Sequence, residues 1–84
     1  MLDILPSMGY IDAMKLRVGN SLRVARAEKN LSQEELASMV GVTRQTISSI
    51  ENNQYCPSTL LALNLSKHLG KAVESLFFLE EDHS

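Results

Sequence analysis

From Gln33 to Asn52 the chain reads QEELASMVGVTRQTISSIEN, and its apolar residues fall at helical spacings on either side of one glycine. Leu36, Ala37 and Val40 share a face of a helix that opens at Gln33. Ser32 and Glu35 have the spacing of a capping box, which makes Ser32 the N-cap. Gly41 stands where the helix must end in a backbone of positive φ, a conformation glycine adopts without steric cost. Thr43 then caps a second helix, running to Asn52, whose inward residues are Ile47 and Ile50. Ala37 is small, so the two helix backbones can approach closely around the turn. The opposite face of the second helix carries Arg44, Gln45, Ser48, Ser49 and Asn52. A helix that spends its outer face on hydrogen-bonding groups rather than on Glu/Lys pairs suits a reader of something polar.

The flanks extend this pattern. Lys15-Leu16-Arg17-Val18 alternates basic and apolar residues, the period of a short strand, and Gly19 is expected to break it. Asn20 can cap a first helix over about Ser21 to Lys29, with Leu22 and Ala25 facing inward. Arg26 lies on that same inward side, an unusual place for a charge. Asn30 suits a left-handed helix end and Leu31 is expected to plug the core. Asn52 to Tyr55 reads as a loop, with Asn53 able to accept positive φ. Ser58 caps a fourth helix, Thr59 to Leu69, closed by Gly70 and striped with Leu61, Leu65 and Leu69. Leu60 falls off that stripe and is a candidate subunit contact. Val73 to Leu76 suffices for a last helical turn before Phe77-Phe78-Leu79, an apolar run that holds both phenylalanines of the chain. The expectation is an all-α body of five short helices with short strands possible at its ends.

Residues 1–14, MLDILPSMGYIDAM, differ in character. They contain Pro6, Gly9, two acids and no bases. They are expected to form an N-terminal extension, either appended or docked through Ile4 and Leu5 on the body or on a partner subunit. The main domain is placed at 15–79, with an acidic tail at 80–84.

Eighty-four residues provide one small core and little room for an enzyme pocket. The formal charge of −2 argues against nucleic acid only when summed over the whole chain. Between Lys15 and Lys71 lie all eight basic residues and four acids, which leaves that span at +4. Such a charge supports moderate non-specific affinity. Cys56 is the one cysteine, so no disulfide or metal cluster is expected, and its place before Pro57 suggests a buried or half-buried loop residue. His68 and His83 lack partner ligands at usable spacing, and Ser48, Ser49 and His68 do not make up an acid, base and nucleophile set. Neither enzyme activity nor a cofactor is therefore expected. No run approaches the ~20 apolar residues of a membrane span and no signal-peptide pattern opens the chain, so the cytoplasm is the expected compartment.

The stretch from Gln33 to Asn52 resembles the helix-turn-helix of lambda-repressor-like regulators, the Cro/XRE type. In that pattern Gln opens the first helix, Ala is its fifth residue and Gly its ninth, and branched apolar residues take the fifteenth and eighteenth places. Gln33, Ala37, Gly41, Ile47 and Ile50 meet every one of these positions. The resemblance runs outward through roughly Ser21 to Phe77. Relatives commonly start just before the first helix, which makes Met14 an alternative start.

The resemblance implies a sequence-specific DNA-binding regulator that works as a homodimeric repressor, with the second helix in the major groove of double-stranded DNA. Carried over by position, Arg44, Gln45 and Ser49 fall on base-contacting places, and Gln33, Thr43, Asn52 and Tyr55 on phosphate-contacting ones. For Tyr55 packing against Pro57 is an equal alternative. Many relatives have glycine and lysine where Asn53 and Gln54 stand, so one familiar phosphate contact is missing. Arg26 and Glu51 occupy the places of a structural ion pair. Some small relatives end in a strand that pairs with an N-terminal strand and with a second subunit, which points to Phe77, Phe78 and Leu79 as the dimer interface. Repression would be steric, through an operator with two half-sites. The alternative reading is an antitoxin-type module that binds a protein partner and represses its own operon.

Overall fold

Eleven apolar side chains form one core among the described residues, and every helix of the chain contributes to it. The structure is a computed structural model that describes residues 15–81. The expected extension over 1–14, with its docking through Ile4 and Leu5, lies outside the described residues, as does the end of the acidic tail from 82 to 84. The elements run in the order β1 (Leu16–Asn20), α1 (Leu22–Glu28), α2 (Gln33–Val40), α3 (Arg44–Glu51), α4 (Thr59–Leu69), α5 (Val73–Leu76) and β2 (Phe77–Glu81). This is the lambda-repressor-like arrangement of five helices with a small terminal sheet.

Each helix buries the stripe its spacing predicts. Leu22 and Ala25 point inward from α1, Leu36, Ala37 and Val40 from α2, Ile47 and Ile50 from α3, and Leu61, Leu65 and Leu69 from α4. Leu76 of α5 closes the cluster, and Leu31, Val42 and Phe77 pack against it from its margin. The ends are set locally. Ser32 accepts from the Glu35 amide while Glu35 accepts from the Ser32 amide, which completes the capping box of α2. Thr43 and Ser58 cap α3 and α4 in the same way, each accepting from the amide three residues on. Gly41 ends α2 at φ 75°, and Asn30 and Asn53 take positive φ of 56° and 60°.

The amino end departs from expectation. Gly19 does not break the strand; β1 runs through it to Asn20 because it pairs with β2 in antiparallel register. Val18 faces Leu79, Gly19 faces Phe78 and Asn20 faces Phe77. A side chain at position 19 would meet the end of the Glu80 side chain and the Phe78 ring, so both would have to shift to admit one. Helix α1 consequently starts one residue later, at Leu22, with Asn20 Oδ1 accepting from the Leu22 amide at 3.1 Å. Ser21 ties the two ends of the chain together, its amide bonding Leu76 O at 3.0 Å and its hydroxyl bonding Ser75 O at 2.7 Å.

Strand alternation also divides the apolar run at the carboxyl end. Cross-strand partners share a face, so Phe77 and Leu79 lie with Asn20, Val18 and Leu16, whereas Phe78 lies with Gly19 on the other. Phe77 packs on the core, Phe78 is 40% exposed and Leu79 is 69% exposed. Cys56, expected to be at least half-buried, is exposed, because the loop after α3 passes over the surface before Pro57.

Candidate nucleic-acid interface

Helix α3 presents two rows of polar side chains on the face away from Ile47 and Ile50. Arg44, Ser48 and Asn52 form one row at intervals of four, and Gln45 and Ser49 form the other. Arg44, Gln45 and Asn52 are exposed, while Ser48 and Ser49 are half-buried. Thr43 precedes them as the exposed N-cap, with its hydroxyl 3.1 Å from that of Thr46. Free amides at this end give it a partial positive charge suited to an anion. Gln33 opens the neighbouring α2 and is half-buried. Tyr55 lies beyond the other end of α3, 48% exposed, in the loop that leads to Pro57.

Behind this surface lies a single carboxylate. The Glu51 side chain is fully covered, although its backbone at the end of α3 stays partly open. Arg26 of α1 donates from Nε to Oε2 at 2.8 Å and from Nη2 to Oε1 at 3.3 Å. Gln33 of α2 donates from Nε2 to Oε1 at 3.0 Å, and Arg23 of α1 reaches the same oxygen at 3.5 Å. Arg26 also donates from Nη1 to Leu31 O at 2.8 Å, which fixes the link between α1 and α2. Three helices therefore converge on one acid. Burial pushes its carboxyl pKa up, but the bonds from Arg26 and Gln33, the Arg26 charge and the Arg23 bond outweigh this and hold it below 4.5. On the outer side Gln33 Oε1 faces Arg44 Nη1 at 3.5 Å, so the covered acid is linked through Gln33 to the arginine that opens α3.

The pairing pattern redistributes the charge counted from sequence. Arg17 pairs with Glu80 at 2.7 Å and Lys71 with Glu28 at 2.8 Å. Among the described residues Lys15, Lys29, Arg44 and Lys67 stand outside the ion pairs, and of these only Arg44 belongs to α3.

A helix-turn-helix family model of the Cro/C1 type matches residues 22–76, the span from the start of α1 to the end of α5. The chain belongs to the Cro/XRE-type helix-turn-helix family. It is 45% identical over 64 residues to an uncharacterised HTH-type transcriptional regulator, YgzD of Bacillus subtilis, covering 76% of this chain and 97% of that protein. It is 46% identical over 63 residues to another, MJ0272 of Methanocaldococcus jannaschii, covering 75% of this chain and 96% of the relative. Its fold is similar to the crystal structure of the restriction-modification controller protein C.AhdI from Aeromonas hydrophila. That likeness has a TM-score of 0.62 and 36% identity, and covers 67% of this chain and 81% of the other.

The protein is thus a DNA-binding transcriptional regulator of the helix-turn-helix type, and the polar face of α3 is its candidate contact surface. Among the described residues, no helix is long and apolar enough to cross a membrane, and no group of three or more His, Cys, Asp or Glu is placed to hold a metal. Two participants escaped the sequence reading. Arg23 joins Arg26 at Glu51 and reaches Asn52, and Asn20 bonds Ile50 O at 2.9 Å and Asn53 Oδ1 at 3.0 Å. Spacing along α1 does place Arg23 three positions, about one turn, before the inward Arg26, but nothing local to Asn20 points across to α3.

Because the Glu51 carboxyl is held below its unfolded value near 4.5, it stabilises the fold fully above that pH and loses the contribution as pH falls through the lower folded value. Glu51→Gln should melt at a lower temperature than the wild type at pH 7, with a cost of about 2–3 kcal/mol for leaving Arg26 without its anion. The two proteins should converge as pH is lowered toward 3 in circular-dichroism melts. Parallel curves across that range would show that the ionised carboxylate is not what holds the helices.

Proposed function

We propose that this regulator is a homodimeric repressor whose two copies of α3 enter successive major grooves of an operator with two half-sites. The observation that carries the reading is the composition of the exposed α3 surface: one arginine outside the ion pairs at the helix start, followed by amides and hydroxyls. Arg44 can offer two donors to guanine O6 and N7, and Gln45 matches adenine N6 and N7. Ser49, on the same row as Gln45, reaches a neighbouring base. Gln33 and Thr43 bind phosphate from the amino ends of α2 and α3, and Asn52 and Tyr55 bind it from the far end of α3. Repression follows from occupancy, because a protein seated on the operator excludes polymerase.

One recognition helix touches few base pairs, so two copies related by a two-fold axis read half-sites about 34–36 Å apart. The strand Phe77–Leu79 supplies the apolar surface for that pairing. Leu79 is its centre, since Phe77 anchors the strand to the core and Phe78 covers Gly19 on the opposite face. Beside Leu79, Val18 and Phe77 continue into an apolar groove against Leu63 and Val73, whereas Phe78 shares its face with the Arg17–Glu80 ion pair.

Arg44→Ala should weaken binding to the selected operator by about 1–3 kcal/mol and relax preference at one base pair. Equal weakening on scrambled DNA would assign Arg44 to phosphate alone. For assembly, Leu79→Glu should give a folded monomer by sedimentation, with greatly reduced operator binding, while Phe78→Glu should remain dimeric. A dimeric Leu79→Glu protein would remove Leu79 from the interface, and a monomeric Phe78→Glu protein would move the interface to the other face.

A further inference from the structure

The loop after α3 contains two asparagines in sequence, and each has its side-chain carbonyl oxygen engaged by a different element. Arg23 Nη2 of α1 lies 3.3 Å from Asn52 Oδ1, and Asn20 Nδ2 of β1 lies 3.0 Å from Asn53 Oδ1. An amide whose oxygen is engaged by a neighbouring donor keeps both donors of its NH2 group for other partners. Among the described residues neither Asn52 Nδ2 nor Asn53 Nδ2 donates to another group, and both residues are exposed. Asn20 itself is fully engaged, since it also donates to Ile50 O at 2.9 Å and accepts from the Leu22 amide at 3.1 Å. Its amide therefore has one fixed orientation, and that orientation sets the Asn53 side chain. Asn53 takes φ 60°, a backbone that glycine adopts more readily, so the asparagine bears a conformational cost that a side-chain role would offset.

We propose that Asn53 is a second amide donor to the DNA backbone, paired with Asn52, and that Asn20 is the positioning residue that aims it. The inference rests on the reading of α3 as the recognition helix, with Asn52 at a phosphate. It gives the loop two oriented neutral donors at the end of α3 and makes β1 part of the DNA-binding apparatus. A neutral donor adds affinity without releasing a counterion, so its removal changes binding strength and leaves the salt dependence alone.

The test uses full-length protein on two duplexes, one selected by the wild type from a random pool and one scrambled in sequence. Glycine suits the backbone at position 53, so Asn53→Gly removes only the side chain. It should weaken binding to both duplexes about 3- to 10-fold, the effect of one lost hydrogen bond, with an unchanged slope of log affinity against log salt. Asn20→Ser should weaken binding similarly in the wild type and have no further effect in the Asn53→Gly background, because it acts through Asn53. Wild-type affinity in Asn53→Gly, while Arg44→Ala still weakens the selected duplex, would overturn this inference and leave the recognition helix in place. Unchanged binding in both variants would overturn the recognition reading as well. Additive losses for Asn20→Ser and Asn53→Gly would remove Asn20 as a positioning residue.

Discussion

The Glu51 carboxylate is the point on which the arrangement of the first three helices depends. It ends α3, its side chain is fully covered, and it accepts from Arg26 and Arg23 on α1 and from Gln33 on α2. Apolar packing alone draws these helices together but leaves their rotation and register loosely defined. A covered acid has no such freedom, because losing any partner exposes it to the cost of an unsatisfied buried charge. The geometry that satisfies Glu51 therefore fixes where α3 stands. Through Gln33 the same constraint extends outward to Arg44, the first residue of α3.

This construction has a consequence for binding. Half of the eight basic residues are engaged in ion pairs within the protein: Arg23 and Arg26 with Glu51, Arg17 with Glu80, and Lys71 with Glu28. The exposed face of α3 is mostly neutral, with Arg44 its single cation. Affinity that comes from phosphate neutralisation is sequence-independent and salt-sensitive. A face built from amides and hydroxyls gives up much of that and relies on directional hydrogen bonds, whose strength depends on how firmly each group is aimed. The converging bonds behind α3 and its following loop supply that aim.

Much of this was legible in the sequence wherever the signal is local. The caps Ser32, Thr43 and Ser58, the positive-φ positions Gly41, Asn53 and Asn30, and the apolar stripes of α2, α3 and α4 are all properties of a few neighbouring residues. Non-local pairing was harder to read. Gly19 reads as a breaker in isolation, yet it lies within β1 because Phe78 and Glu80 come from the other end of the chain to cover it. Phe77-Phe78-Leu79 reads as one apolar run, but its pairing with β1 sends Phe78 to the opposite face from its neighbours. Cys56 looked shielded by composition and is exposed by the path of its loop. The links from Asn20 to Asn53 and from Arg23 to Asn52 join residues about thirty positions apart, and no local pattern announces them.

If a two-fold pair of α3 helices, held in place by Glu51, reads DNA, the protein selects one specific sequence. Selection of duplexes from a random pool by the wild-type protein tests this most directly. The expected result is enrichment of an inverted repeat whose half-site centres lie about one helical turn, 34–36 Å, apart, with affinity falling sharply when either half is scrambled. Failure to enrich any sequence, or enrichment of a single unrepeated site bound equally well alone, would contradict it.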